Sequence, residues 1–226
     1  MFVLKLTFSV VAQIALFGLL LFVPAGRWAW PRAWIYMGCM VVGTIVTLIY
    51  LRKDEGLINE RLKGPIQKGQ PLADRILVSL LLATFASLVI FIPLDVFRFQ
   101  LMHAPGPPVS TAGLLLGAAG WWLIARAMHE NAFAAPVVKY QKERAHRVID
   151  SGVYARLRHP MYSGFIPFLV GTCLWLGSYA AALLSIVPIA LIAARIVIEE
   201  RFLRRELEGY AAYAERTRYR LIPFVW

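Results

Sequence analysis

The chain has 226 residues, 59% of them hydrophobic and only 16% charged, with a formal net charge of +11. A soluble domain is about a quarter charged. So little charge cannot cover a water-facing surface, which excludes a soluble globular fold and makes the bilayer the solvent for much of the molecule. The expected class is all-α: a polytopic integral membrane bundle of about four spans followed by a C-terminal helical hairpin, each span needing ~20 apolar residues.

In chain order, the first span is predicted at about Leu4–Val23, closed by Pro24-Ala25-Gly26. No small-residue cleavage site follows it, so it reads as a retained helix and not a signal peptide. The second span is about Ala33–Leu51, with Trp28, Trp30 and Trp34 forming an interfacial aromatic belt near the connection. Residues 52–75 are polar, with Gly64-Pro65 and Gly69-Gln70-Pro71 as breakers. A third span covers about Arg75–Leu94, and Asp95 is placed to cap its end. The loop that follows contains His103. The fourth span, Thr111–Met128, is rich in Gly and Ala for close helix packing.

Residues 129–160 form the longest polar stretch, and two apolar runs follow, Tyr162–Leu176 and Tyr179–Ile198, split by Gly177-Ser178. They read as a tight hairpin, with a charged tail over 199–226. Residues 1–128 are thus expected to be N-terminal transmembrane helices and 129–226 the functional core. Cys39 and Cys173 each lie in apolar segments and read as small buried hydrophobes, with no disulfide and no metal site.

Lys and Arg collect on the cytoplasmic side of a membrane. With both termini cytoplasmic, Lys5 and the basic residues of 52–75, 126–160 and 195–226 all lie inside, and only Arg27, Arg32 and Arg98 lie outside. The two large polar segments then share one face. The basic tail contacts anionic headgroups on this reading. A nucleic-acid partner is not expected, because no matching fold signature occurs.

Two constellations can carry chemistry. Pro160 suits the first turn of a helix, which puts His159 at that helix's positive end, where a ligand carboxylate can bind. Tyr162 follows with a ring and a hydroxyl, and the Ser151-Gly152 turn can present backbone groups to a ligand. The simpler alternative is a plain helix start with an interfacial tyrosine. The second constellation is Arg195 with Glu199 and Glu200 at the end of the last apolar run. Arg195 and Glu199 share a helix face. Ionisable groups there are costly unless paired or functional. The alternative is a local ion pair. His129 and Glu130 read as interfacial polar residues.

The run His-x4-Ser-Gly-Val-Tyr-x3-Arg-His-Pro-x-Tyr-x-Gly, from His146 to Gly164, resembles the isoprenylcysteine carboxyl methyltransferase family. So do the Glu199-Glu200 pair, Tyr210, Tyr213 and the Arg220-Leu221-Ile222-Pro223 ending. The wider group includes phospholipid N-methyltransferases and small-thiol methyltransferases. The resemblance implies an S-adenosyl-L-methionine site on the cytoplasmic side, contacted by Lys139, His146, Arg147, Val148, Ile149, Tyr154, His159, Pro160, Met161, Tyr162, Glu199 and Glu200. It implies that Arg195 faces the substrate as the catalytic and substrate-binding residue. The acceptor would be a lipid or lipophilic small molecule, with a carboxylate favoured over an amine or thiol. The sequence departs from the eukaryotic pattern at Lys139, where those enzymes carry a neutral amide. The small number of spans suggests a prokaryotic inner-membrane protein. The rivals from other classes are an NADPH-dependent membrane reductase and a non-catalytic membrane protein.

Overall fold

A computed structural model describes residues 2–67 and 69–226. Lys68, counted above among the basic residues of 52–75, lies outside the described residues. Nine α-helices run in order among them: α1 Phe2–Ala25, α2 Pro31–Leu51, α3 Glu55–Leu62, α4 Leu72–Leu94, α5 Pro107–Glu130, α6 Pro160–Leu176, α7 Tyr179–Leu184, α8 Ile186–Glu206 and α9 Tyr210–Arg216. Five stretches are long and apolar enough to cross a bilayer: Leu4–Ala25, Pro31–Leu51, Leu72–Phe99, Pro107–Glu130 and Tyr179–Glu206, with α6 a shorter apolar helix beside them. This is an all-helical integral membrane architecture.

Local chemistry sets the helix ends. Pro31, Pro107 and Pro160 each open a helix, where the missing N–H costs nothing. Gly177 ends α6 in the left-handed conformation, and the Ser178 side chain accepts from Ala181 N–H to start α7. α4 runs into a π-helical turn over Asp95–Phe99 just after Pro93. There Asp95 accepts from Leu101 N–H at 3.0 Å and from the Ser178 hydroxyl at 2.6 Å, so it caps the span and also ties it to α7.

The tightest packing is between α5 and α6. A Cβ added to Gly120 would stand 2.5 Å from the Gly164 carbonyl oxygen, so the backbones touch where glycine alone fits. Small-residue contacts of this kind replace the hydrophobic effect, which lipid does not supply between helices. The two apolar runs of the expected hairpin form and turn at Gly177-Ser178, and each also packs elsewhere: α6 takes α5 as its main neighbour, while α8 leans on α4. α8 also runs past Ile198 to Glu206, so Glu199 and Glu200 lie within a helix.

The main core, toward the Arg27–Arg32 end, joins α1, α2, α4, α6 and α7 through residues such as Leu21, Ala33, Ile92, Leu176 and Ala181. Trp30 belongs to it, packing edge-on against Phe97, and is buried where a belt position was expected. Trp28 and Trp34 remain exposed and stack on Phe22. Cys173 is buried as expected, but Cys39 is exposed, because it faces an open apolar groove between α2 and α5.

Candidate active site

At the end of the bundle where the polar segments meet, a pocket opens between the α5–α6 loop, the start of α6, α8 and α9. Its wall includes Lys139, His146, Arg147, Val148, Ile149, Tyr154, His159, Met161, Tyr162, Arg195 and Glu199. Sequence reasoning named all of these. Pro160 and Glu200, also named, are buried behind the wall and do not line it. Asn131, Phe133, Arg158, Leu203, Tyr210 and Tyr213 line it too, with residues 134–135 and 137–138 and Leu207 in the rest of the wall.

The adjacent glutamates of α8 do different work. Glu199 Oε2 accepts from the Tyr162 hydroxyl at 2.8 Å at the pocket wall. Glu200 points into a buried network. Its Oε1 accepts from Arg158 Nε at 2.7 Å and lies 3.2 Å from His159 Nε2, and its Oε2 accepts from Arg220 Nε at 3.0 Å. Arg158 also donates to the Ala214 and Thr217 carbonyls. The tail is further tied down where Arg158 N–H donates to Tyr219 O and His159 N–H to Arg220 O. Glu200 therefore fastens the C-terminal segment over the start of α6 and acts as a structural residue.

Arg195 does not pair with Glu199. Its Nε donates to Asp74 Oδ1 at 2.8 Å, and its Nη2 donates to the Pro136 carbonyl at 2.8 Å. Asp74, fully buried at the start of α4, also accepts from Val138 N–H at 2.9 Å and from Gln70 Nε2 at 2.7 Å. The ion pair thus grips residues 136–138 at two points, much as a neighbouring strand would. Sequence reasoning missed Asp74. The available signal was an acid at the edge of an apolar span.

Lys139 lines the pocket, while its ammonium lies against Glu60 and Gln67 of the 52–75 segment. Burial alone would raise the Glu60 pKa, but Lys139 and Lys63 outweigh it and hold the carboxyl below its ordinary range. The Ser151-Gly152 turn serves the protein itself. Gly152 has φ +57° and sits over the Glu130 carboxylate, leaving no room for a Cβ, and Val153 N–H donates to Glu130 at 2.6 Å. Glu130 is therefore a loop anchor as well as an interfacial residue, while His129 stacks on Tyr50.

Two buried polar atoms of pocket-lining residues, His146 Nδ1 and the Tyr210 hydroxyl, have no hydrogen-bond partner among the described residues. Burial, with Arg144 adding repulsion, pulls the His146 pKa down to about 4, so its ring is neutral near pH 7. Burial raises the Tyr210 pKa, keeping its hydroxyl protonated. Buried polar groups left unpaired cost ~1–3 kcal/mol each, and at a pocket wall such groups are ready to bond a ligand. The pocket also offers the apolar Phe133, Val148, Ile149 and Leu203. This set suits a nucleoside with a charged appendage: rings against the apolar wall, hydroxyls on Glu199, and other polar atoms on His146 and Tyr210. S-adenosyl-L-methionine fits these donors and acceptors.

Residues 109–208 match the phospholipid methyltransferase family model. One segment is 35% identical over 91 residues to protein-S-isoprenylcysteine O-methyltransferase B of Arabidopsis thaliana, covering 39% of this chain and 46% of that one. Another match, 35% identical over 68 residues, is to protein-S-isoprenylcysteine O-methyltransferase of Schizosaccharomyces pombe, covering 30% and 29%. This chain is similar to these methyltransferases over less than half of its own length. It spans less than half the length of these curated relatives. Its fold is that of the eukaryotic intramembrane Ras methyltransferase, an isoprenylcysteine carboxyl methyltransferase, with a TM-score of 0.52 at 22% identity over 92% of this chain and 74% of that one. These relatives are eukaryotic and lend no support to a prokaryotic inner-membrane location.

Proposed function

We propose that this chain is an S-adenosyl-L-methionine-dependent integral membrane methyltransferase of the isoprenylcysteine carboxyl methyltransferase type, acting on a lipophilic acceptor, with a carboxylate as the favoured methyl-accepting group. The observation that carries the reading is the pocket itself. The residues of the His146–Gly164 motif line it together with Glu199, and it presents the unpartnered His146 Nδ1 and Tyr210 hydroxyl.

When bound, the cofactor supplies an electrophilic sulfonium methyl. The protein's part is then proximity and orientation, with no covalent enzyme intermediate needed. Glu199, held by the Tyr162 hydroxyl, is placed to accept from ribose hydroxyls or to face a positive centre. Phe133, Val148 and Ile149 exclude water from the nucleoside. Arg195, fixed by Asp74 and Pro136, lies at the pocket wall to orient the acceptor. A carboxylate acceptor needs no general base. An amine acceptor would need one, and Glu199 is a carboxylate at the wall with no cation within 4 Å among the described residues.

The distribution of Lys and Arg supports an orientation with both termini and the pocket on the cytoplasmic side. The cofactor would enter from water and the acceptor from the bilayer. Replacing Glu199 or His159 is expected to weaken cofactor binding, whereas Arg195→Lys, which keeps a counter-charge for Asp74, is expected to spare it and reduce turnover. Equal loss of S-adenosylhomocysteine binding in all three variants would contradict that division.

A further inference from the structure

Arg147 on the pocket wall is exposed and has no carboxylate within 4 Å, whereas the charges around the pocket that are shielded from solvent are paired, among the described residues, with one exception on each side. Arg195 has Asp74, Arg158 has Glu200 and Lys139 has Glu60. Arg61 of α3 is half-buried and has no carboxylate within 4 Å among the described residues. Its Nη1 donates to the Ala134 carbonyl at 2.9 Å and lies 3.9 Å from the Met161 sulfur. Ala134 and Met161 both line the pocket, so Arg61 stands directly behind its wall. Burial lowers its pKa, with Tyr162 and Tyr154 opposing and Arg195 adding repulsion. A carbonyl and a thioether do not neutralise a guanidinium, and an uncompensated buried charge is costly.

Glu199 is the matching exception. Its partner is the neutral Tyr162 hydroxyl. Met161 and Tyr162 are consecutive, one touching Arg61 and the other Glu199. Apart from solvent-exposed Arg147, the site therefore holds one unneutralised cation and one unneutralised anion across two adjacent side chains.

Resting on the methyltransferase reading, we infer that Arg61 is the binding residue for a carboxylate of a ligand in this pocket, while Glu199 faces that ligand's positive or hydroxylic part. Two ligands bring a carboxylate here: the amino-acid end of the cofactor, and an acceptor of the isoprenylcysteine type. A planar guanidinium with free N–H groups suits either. The residue comes from the N-terminal half, outside the matched segment 109–208.

The test uses full-length protein in detergent and calorimetric titration of wild type, Arg61→Gln and Arg61→Lys. The probes are S-adenosylhomocysteine and 5′-methylthioadenosine, which keeps the nucleoside thioether and lacks the amino-acid end. N-acetyl-S-farnesylcysteine serves as the acceptor probe in turnover. A loss of S-adenosylhomocysteine affinity of about tenfold or more in Arg61→Gln, with 5′-methylthioadenosine unchanged, assigns Arg61 to the cofactor carboxylate. Unchanged binding of both nucleosides with a comparable rise in KM for the farnesylcysteine assigns it to the acceptor carboxylate. In either case Arg61→Lys retains part of the effect through its charge, and it replaces Arg61→Gln if that variant does not fold. Equal weakening of both nucleosides, or no change in binding or KM, overturns the inference and leaves Arg61 a structural residue. A wild type that binds neither nucleoside refutes the cofactor reading itself, and this inference with it.

Discussion

The two polar segments at the same end of the bundle, 52–75 and 131–159, contrast in what they show and what they do. The second carries the recognisable motif and most of the pocket wall. The first carries no motif, yet it holds the second in place. Asp74 binds Val138 N–H, Glu60 and Gln67 bind Lys139, Arg61 binds the Ala134 carbonyl, and Asp54 lies 3.6 Å from Arg144. A loop rich in recognisable chemistry has little structure of its own to keep it in place. Here its geometry is borrowed from a segment that need only be complementary to it.

The largest effect that sharpens this contrast is expected from Asp74→Asn. It leaves Arg195 buried without its counter-charge, a change that typically costs about 3–5 kcal/mol. Thermal melting in detergent should show a large drop, and hydrogen exchange should rise at residues 136–139. Removing both charges, in Asp74→Asn with Arg195→Gln, should recover much of the stability. A double variant less stable than Asp74→Asn alone would show that the ion pair does not hold the loop.

The next contrast lies within α8. Glu200→Ala should lower the melting temperature strongly, because Arg158 loses its carboxylate in a buried setting. Glu199→Ala should leave melting nearly unchanged and weaken S-adenosylhomocysteine about tenfold or more, a difference of about 1.4 kcal/mol. The reverse pattern would exchange their roles.

Smaller still is Lys139→Gln. A partly exposed ion pair is worth up to about 1 kcal/mol, so a stability loss of that order is expected, with cofactor affinity falling only a few-fold. A large loss of affinity would mean that the ammonium itself binds the cofactor.

The effect that vanishes near neutral pH, and grows only in acid, is that of His146 protonation. The pKa of His146 is pulled down to about 4 in the fold, against an ordinary value of about 6.5. The fold favours the neutral ring, so the unfolded chain takes up the proton first. His146 should therefore cost no stability above about pH 6.5, and stability should fall as pH drops from there toward 4. The melting-temperature difference between wild type and His146→Leu should shift against wild type across that window. A difference independent of pH would refute the shift.

Much of this was legible in the sequence. Apolar runs located the spans, the glycines of the fourth span signalled close packing, and the motif located the pocket wall. Its limits were physical. Glu200 and Glu199 are neighbours in sequence, and only the helix rotation and the C-terminal tail decide which one faces the pocket. Lys139 finds its partner Glu60 in a different polar segment, 79 positions away. Asp74 and Arg195 are 121 positions apart. No local period or cap links such residues, so only the folded chain brings them together.

The central claim is tested most directly by calorimetric titration of the detergent-purified protein with S-adenosylhomocysteine, with NADPH as control. Binding of S-adenosylhomocysteine that is lost in Glu199→Ala, with no binding of NADPH, is the predicted result. Absence of S-adenosylhomocysteine binding would contradict it: clear NADPH binding would then favour a reductase, and binding of neither would favour a non-catalytic membrane protein.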